Sequence, residues 1–396
     1  MSTLRETLQR HVDEGAVPGA VALVARGDDV EVVTVGSVDT DGTAPMARDS
    51  IFRIASITKP ITAAAVLMLI EDGVLALDSP VEEWLPELAK PVVARTPSSP
   101  VEDVVPAARP ITVEDLLSSR TGWGFPADFT LPAVQSLFTV QKDGRALTSW
   151  PEAGAWLAVL AQVPMLYQPG EAWLYGTSSD LQGILIARAC GRGLPEFLAE
   201  RIFEPLGMTD TAFAVPPSKR HRFTSAYSTN PDGSLDLFDA PDGEFSSVPD
   251  FHSGGGGLVS TADDWLAFAR LLVNSGTSPD GHRLLSATSV SRMTTNHLTA
   301  QQRDRVPLFL EGQGWGYGGQ VDVTPTDPWN VPGRYGWVGG TGTTAHIVPP
   351  TATISILLTQ AAMQNPTPTP LMRDFWRHVA NAGNNTPVAD AGNHTP

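Results

Sequence analysis

The sequence predicts a mixed α/β fold (α+β), with one sheet built from both chain ends and a largely helical insertion between them. Two observations predict it. Short apolar runs bounded by turn residues occur near the N-terminus and return only after residue 315, as strands of one sheet would. The stretch between them is a patchwork of helix-like segments and Pro-rich loops, with a cleft between the two parts as the natural place for a site.

The elements follow in order. Residues 1–12 read as an amphipathic helix, and Val21–Ala25 and Val30–Val35, joined across Gly27-Asp28-Asp29, read as a β-hairpin. A long helix is expected from about Thr58 to Glu71, with Pro60 tolerated near its start and Asp72-Gly73 at its end. Val92 to Pro110 contains four prolines and reads as a loop. Helices are expected after Ile111-Thr112 and after Ser260-Thr261, where a hydroxyl can cap free amides. Strand-like runs return at Gly316–Val323, Gly336–Gly339, Thr344–Val348 and Ala352–Thr359, before a final helix, Leu371–Ala380. The residues beyond, 383–396, hold almost nothing apolar and read as a disordered tail. Two Asn-x-Thr triplets there, at Asn384 and Asn393, are too short a pattern to carry weight.

Composition narrows the function classes. The chain of 396 residues carries 43 acidic against 26 basic side chains, a net charge of -17. Such a surface repels phosphate backbones and anionic lipid heads, so neither nucleic acid nor membrane is an expected partner. A single cysteine, Cys190, excludes an internal disulfide and any multi-cysteine metal site. The longest apolar run, Ala63 to Ile70, is far too short to span a bilayer. The N-terminus lacks the basic and apolar segments of an export signal, and the expected location is the cytoplasm. The eight histidines form no His-x-x-x-His pair, so no metal or other cofactor is expected. Gly314-Trp-Gly-Tyr-Gly-Gly319 fits Gly-x-Gly-x-x-Gly but opens a strand-like segment rather than linking strand to helix, which argues against nucleotide binding. No Gly-x-Ser-x-Gly occurs, as an α/β-hydrolase would require.

Chemistry is concentrated in Ser56-Ile-Thr-Lys59. Three residues apart on a helix, the two side chains share a face. A serine hydroxyl becomes a useful nucleophile when a neighbouring base takes its proton, and a lysine can serve when its surroundings favour the free amine. The plainer alternative is a helix-capping serine beside a surface lysine. Of the four lysines, only Lys59 has a serine three residues before it.

The pair does not stand alone. Ser56-Ile-Thr-Lys59, Ile111-Thr-Val-Glu-Asp-Leu-Leu-Ser-Ser-Arg-Thr-Gly122, Gln168-Pro-Gly-Glu-Ala-Trp-Leu-Tyr175, Phe203-Glu-Pro-Leu-Gly-Met-Thr-Asp-Thr211 and Gly254-Gly-Gly-Gly-Leu-Val-Ser-Thr261 occur in an order that resembles the serine β-lactamase-like superfamily. That group holds class C β-lactamases, DD-peptidases and family VIII carboxylesterases. The resemblance reaches to about residue 360 and implies a β-lactamase/transpeptidase-like fold. In that fold an antiparallel sheet flanked by helices, from residues 1–80 and 255–380, sits against a mainly helical domain, 81–254.

The resemblance also implies roles. Ser56 is the nucleophile, Lys59 and Tyr175 take its proton, and the amides of Ser56 and Gly340 form an oxyanion hole. Two departures bear on substrate. After Tyr175, Gly176 and Thr177 stand where the family carries Ser and Asn, which removes the amide that holds the acyl side chain of a β-lactam or peptide. Trp337-Val338-Gly339 stands where penicillin-recognising members carry Lys-Thr-Gly or His-Thr-Gly, and resembles the Trp-x-Gly of the esterase branch. A neutral indole favours an uncharged, apolar substrate over one with a carboxylate, although Arg334, three residues earlier, could restore a cation. Trp123 and Phe125 are candidates to wall an apolar pocket and His252 to line the cleft, each with an ordinary packing role as the alternative. The expected function is a carboxylesterase acting on a small-molecule ester of a small, apolar acid. The alternatives are a β-lactamase or D-amino-acid peptidase using the same residues, and a catalytically silent binding protein. Oligomeric state is open.

Overall fold

The computed structural model describes residues 2–142 and 146–384. Its centre is a seven-stranded sheet. The strands are β1 (Gly19–Arg26), β2 (Asp29–Gly36), β3 (Gly314–Trp315), β4 (Gln320–Val321), β5 (Tyr335–Gly339), β6 (Thr343–Val348) and β7 (Thr353–Thr359). Their spatial order is β2-β1-β7-β6-β5-β4-β3, and every pairing is antiparallel. The N-terminal hairpin therefore joins the C-terminal meander through β1 and β7, with Ala20 opposite Thr359 and Arg26 opposite Thr353. Consecutive side chains of a strand point to opposite faces. All but the last residue of β1 are buried, so both faces of the sheet are covered.

The covering helices are α1 (Leu4–Asp13) and α5 (Pro370–Asn384), which pack on each other, and α4 (Ala262–Val273), which packs on β6 and β7. Thr3 and Glu6 close a reciprocal capping box on α1, and Thr261 caps α4 by accepting from the Asp264 amide. Two more helices matter for the site: α2 (Lys59–Glu71) and α3 (Thr177–Cys190). From Lys59 to Leu69 every residue of α2 is buried, the pattern of a helix enclosed on all sides rather than lying on a surface.

Several expectations need correction. The Pro-rich stretch after Val92 is not all loop, because Val92–Ala94 pairs with Val104–Pro106. Apolar Val92-Val93-Ala94 and Val104-Val105 supply the strands, and the prolines fall outside the paired core or at its last residue. Gly316–Val323 is interrupted, with Gly316 to Gly319 turning the chain between β3 and β4. The last helix continues to Asn384, past the point where a tail was expected, and the rest of that segment lies outside the described residues. We propose residues 81–254 as a distinct, mainly helical unit on the strength of the sheet topology, since every strand of the main sheet lies outside that range.

One buried ion pair ties the two parts together. Arg53 donates through Nε to Asp239 at 2.6 Å and through Nη1 to the Thr224 carbonyl at 2.6 Å, and its guanidinium lies 4.0 Å from the Phe223 ring centre. Burial pulls the Arg53 guanidinium below its ordinary range, and Asp239 pushes back. Removing one member of such a pair strands a buried charge. Asp239→Ala is therefore expected to cost about 3–5 kcal/mol, read as a lower urea midpoint with the slope of the transition unchanged.

Candidate active site

The turn that carries Ser56 is a short 3-10 segment, Ala55–Thr58, running directly into α2. Ala55 has φ 45, a left-handed conformation that costs a residue with a Cβ free energy. The surroundings hold it there. Thr341 Oγ1 donates to the Arg53 carbonyl at 2.6 Å, Thr343 Oγ1 to the Ile54 carbonyl at 2.9 Å, and the Trp265 indole to the Ile57 carbonyl at 3.2 Å. Ser56 is thus clamped by the meander on one side and α4 on another.

Lys59 projects from the first turn of α2 and is buried. Its Nζ donates to Ser56 Oγ at 2.9 Å and to the Gly255 carbonyl at 2.6 Å. The Tyr175 hydroxyl donates to the same oxygen at 2.7 Å. Backbone pairing with Phe125, at 2.9 and 3.0 Å, fixes Tyr175 immediately before Gly176 turns the chain into α3 at φ 100. The Trp337 indole donates to the Tyr175 hydroxyl at 2.9 Å. One serine oxygen therefore has two hydrogen-bonding neighbours that can move protons, and the tyrosine has a donor of its own.

These groups lie in a cavity of about 540 Å³, lined also by Phe125, Phe138, Phe309 and Gly340. Phe125 and Phe138 stand 4.9 Å apart, and Phe309 stacks on Tyr175 at 4.9 Å. Gly340 lines the cavity with open space where a Cβ would be, while a Cβ at Gly339 would lie 2.5 Å from the Ile54 carbonyl. Gly339 thus lets β5 approach the Ser56 turn, and Gly340 presents bare backbone to the cavity.

Other expected residues sit elsewhere. Trp123 is core, its indole donating to the Val163 carbonyl at 2.8 Å, and does not line the cavity. His252 packs on Phe213 at 5.3 Å outside the cavity lining, with burial holding its imidazole below the usual range. Thr177 is fully buried and donates to Gln141 Oε1. Arg334 restores no cation to the cavity, because it is buried against Asp322 at 3.3 Å, under the Trp376 ring.

The sequence reading missed Gln141 and Asp180. Gln141 lines the cavity, but Thr177 occupies its oxygen and its Nε2 donates to Asp180 at 2.9 Å. Asp180 also accepts from Ser253 Oγ at 2.5 Å and from the Gly255 amide at 3.1 Å. Its place one helical turn past Thr177 was the available signal, since it puts a carboxylate on the side of α3 that Thr177 occupies.

The Beta-lactamase family model matches residues 4–378. The chain belongs to that family. It is 31% identical to esterase EstB of Burkholderia gladioli over 77% of this chain and 75% of that protein. It is 31% identical to lovastatin esterase of Penicillium rubens over 84% of this chain and 86% of the relative. Among solved structures, EstCE1, a hydrolase with promiscuous acyltransferase activity, superposes with a TM-score of 0.79 at 25% identity, covering 95% of this chain and 97% of the other. The β-lactamase/transpeptidase-like fold is therefore this chain's fold.

The indole donor to Tyr175 can be tested separately from the ring that bears it. Trp337→Phe keeps an aromatic wall and removes one hydrogen bond, a loss worth about 0.5–1.5 kcal/mol. Ester turnover is expected to fall roughly 3- to 10-fold, with the melting temperature within a few degrees of the parent protein, measured on p-nitrophenyl butyrate.

Proposed function

We propose that this member of the Beta-lactamase family is a serine hydrolase that cleaves small, apolar carboxylic esters through an acyl-enzyme on Ser56. One observation carries the reading. Ser56 Oγ lies within hydrogen-bonding reach of both Lys59 Nζ and the Tyr175 hydroxyl, inside a cavity walled by aromatic rings. The similarity to two proteins described as esterases supports it. A cytoplasmic location belongs to the same proposal, in keeping with a lone cysteine. No helix among the described residues is long and apolar enough to cross a membrane.

In this mechanism Ser56 Oγ attacks the ester carbonyl carbon and its proton passes to the Lys59–Tyr175 pair. The carbonyl oxygen becomes an oxyanion held by the Ser56 and Gly340 amides, each such donor contributing about 3–4 kcal/mol to barrier lowering. The tetrahedral carbon expels the alcohol, whose oxygen takes a proton through Tyr175, leaving the acyl group on Ser56. Water then gives up a proton to the same pair, attacks the acyl carbon, and releases the acid as Ser56 recovers its proton.

Two features favour esters over β-lactams and D-amino-acid peptides. The indole of Trp337 stands where a cation would hold a carboxylate, and Arg334 is committed to Asp322 elsewhere. The nearby amide, Gln141, has partners at both its oxygen and its nitrogen. A silent binding protein would have no need of Ser56, Lys59 and Tyr175 within one hydrogen-bonded cluster.

A fluorophosphonate probe is expected to label Ser56, and p-nitrophenyl acetate and butyrate to turn over well above a chromogenic cephalosporin. Ser56→Ala should abolish labelling, and Lys59→Ala should lower ester turnover at least about 100-fold, the scale of general-base catalysis. Faster cephalosporin turnover would instead identify a β-lactamase, and an unlabelled, inactive protein would leave the binding reading.

A further inference from the structure

Asp180 is 3% exposed, in the cavity wall that also holds Lys59 and Gly255, where a lone carboxylate would be costly. Three donors converge on it. Ser253 Oγ and the Gly255 amide point to Oδ1, and Gln141 Nε2 points to Oδ2. Ser253 Oγ itself accepts from the Gly256 amide at 3.0 Å, so its own proton is the one directed at Asp180. Both carboxyl oxygens are thus used as acceptors, the pattern of an ionised group.

Gly255 makes the link to the chemistry. Its amide donates to Asp180, and its carbonyl accepts from Lys59 Nζ at 2.6 Å. A Cβ at Gly255 would lie 2.9 Å from Asp180 Oδ1, and one at Gly254 would lie 2.4 Å from the Ser179 carbonyl. The four-glycine run therefore allows α3 to press against this segment, which is held from the other side by Thr62 Oγ1 donating to the Gly254 carbonyl at 2.8 Å. Burial pushes the Asp180 carboxyl up, and Ser253, Lys59 and the Gly255 amide pull it back. Of the other charged groups lining the cavity, Arg53 is paired with Asp239, and Lys142 is exposed.

Resting on the serine-hydrolase reading, we propose that Asp180 is a positioning residue: as a carboxylate it fixes Gly255 so that the carbonyl holds Lys59 Nζ beside Ser56 Oγ, and its negative charge faces the positive charge that Lys59 gains as it takes the Ser56 proton. The Asp180 oxygens are taken by Ser253, Gly255 and Gln141, so it acts through its neighbours rather than on substrate. It sets the rate of the chemical step through Lys59 and leaves substrate binding to the aromatic wall.

Asp180→Asn tests this with little change of shape. A turned Gln141 amide can accept from the new side chain and donate to Thr177, so the cluster can stay bonded. With p-nitrophenyl butyrate, kcat is expected to fall at least about 10-fold while KM stays within about twofold, and fluorophosphonate labelling should slow by the same factor. Gly255→Ala is expected to show the same split, since its Cβ displaces the carboxylate, and it decides the matter if Asp180→Asn does not fold. A kcat within twofold of the parent, or a loss appearing in KM, overturns the proposal. A parent protein that neither labels nor turns over esters would instead overturn the hydrolase reading on which it rests.

Discussion

An amine nitrogen buried at the head of an apolar helix must find hydrogen-bonding partners, and that requirement at Lys59 organises the centre of this molecule. Ser56 Oγ and the Gly255 carbonyl meet it directly. Meeting it brings together four segments far apart in the chain: the start of α2, the start of α3, the glycine run before α4, and β5, whose indole completes the cluster at Tyr175. The apolar surroundings of α2 strengthen each of these contacts, because a hydrogen bond counts for more where water does not compete.

The cavity follows from the same arrangement. Tyr175 is both a member of the hydrogen-bonded cluster at Ser56 and part of the aromatic wall, stacked on Phe309. Trp337 likewise closes the cavity with its ring and donates with its nitrogen. A lysine at that position would offer a donor and a positive charge; the indole offers a donor without the charge. On the proposed ester reading, recognition in such a site rests on shape and on exclusion of water, with polar contacts confined to the reacting carbonyl.

Much of this was legible in the sequence, and for identifiable reasons. Ser56 and Lys59 could be paired because a helix fixes the direction of side chains three apart, and the apolar run after them marked that helix as buried. The sheet was legible because strands carry a local signature at both chain ends. Contacts between segments with no shared periodicity were not legible. Nothing local shows that Thr177 would hold Gln141 rather than face the cavity, or that Arg334 would turn to Asp322. Trp123 and Phe125 share one short loop whose glycines, at φ 103 and 139, send neighbouring side chains in different directions, one into the core and one into the cavity. Backbone reversals of that kind depend on what the loop packs against, which composition does not record.

The fastening of the Ser56 turn by Thr341 and Thr343 has a consequence during synthesis. A nascent chain that has exposed Ser56 and Lys59, and even Tyr175, still lacks β5 and β6, and with them the two threonine hydroxyls that fasten the carbonyls before Ala55. The geometry around Ser56 therefore matures late, once Thr341 and Thr343 have been made. Until then the growing polypeptide carries Ser56 on a turn that is only partly fastened.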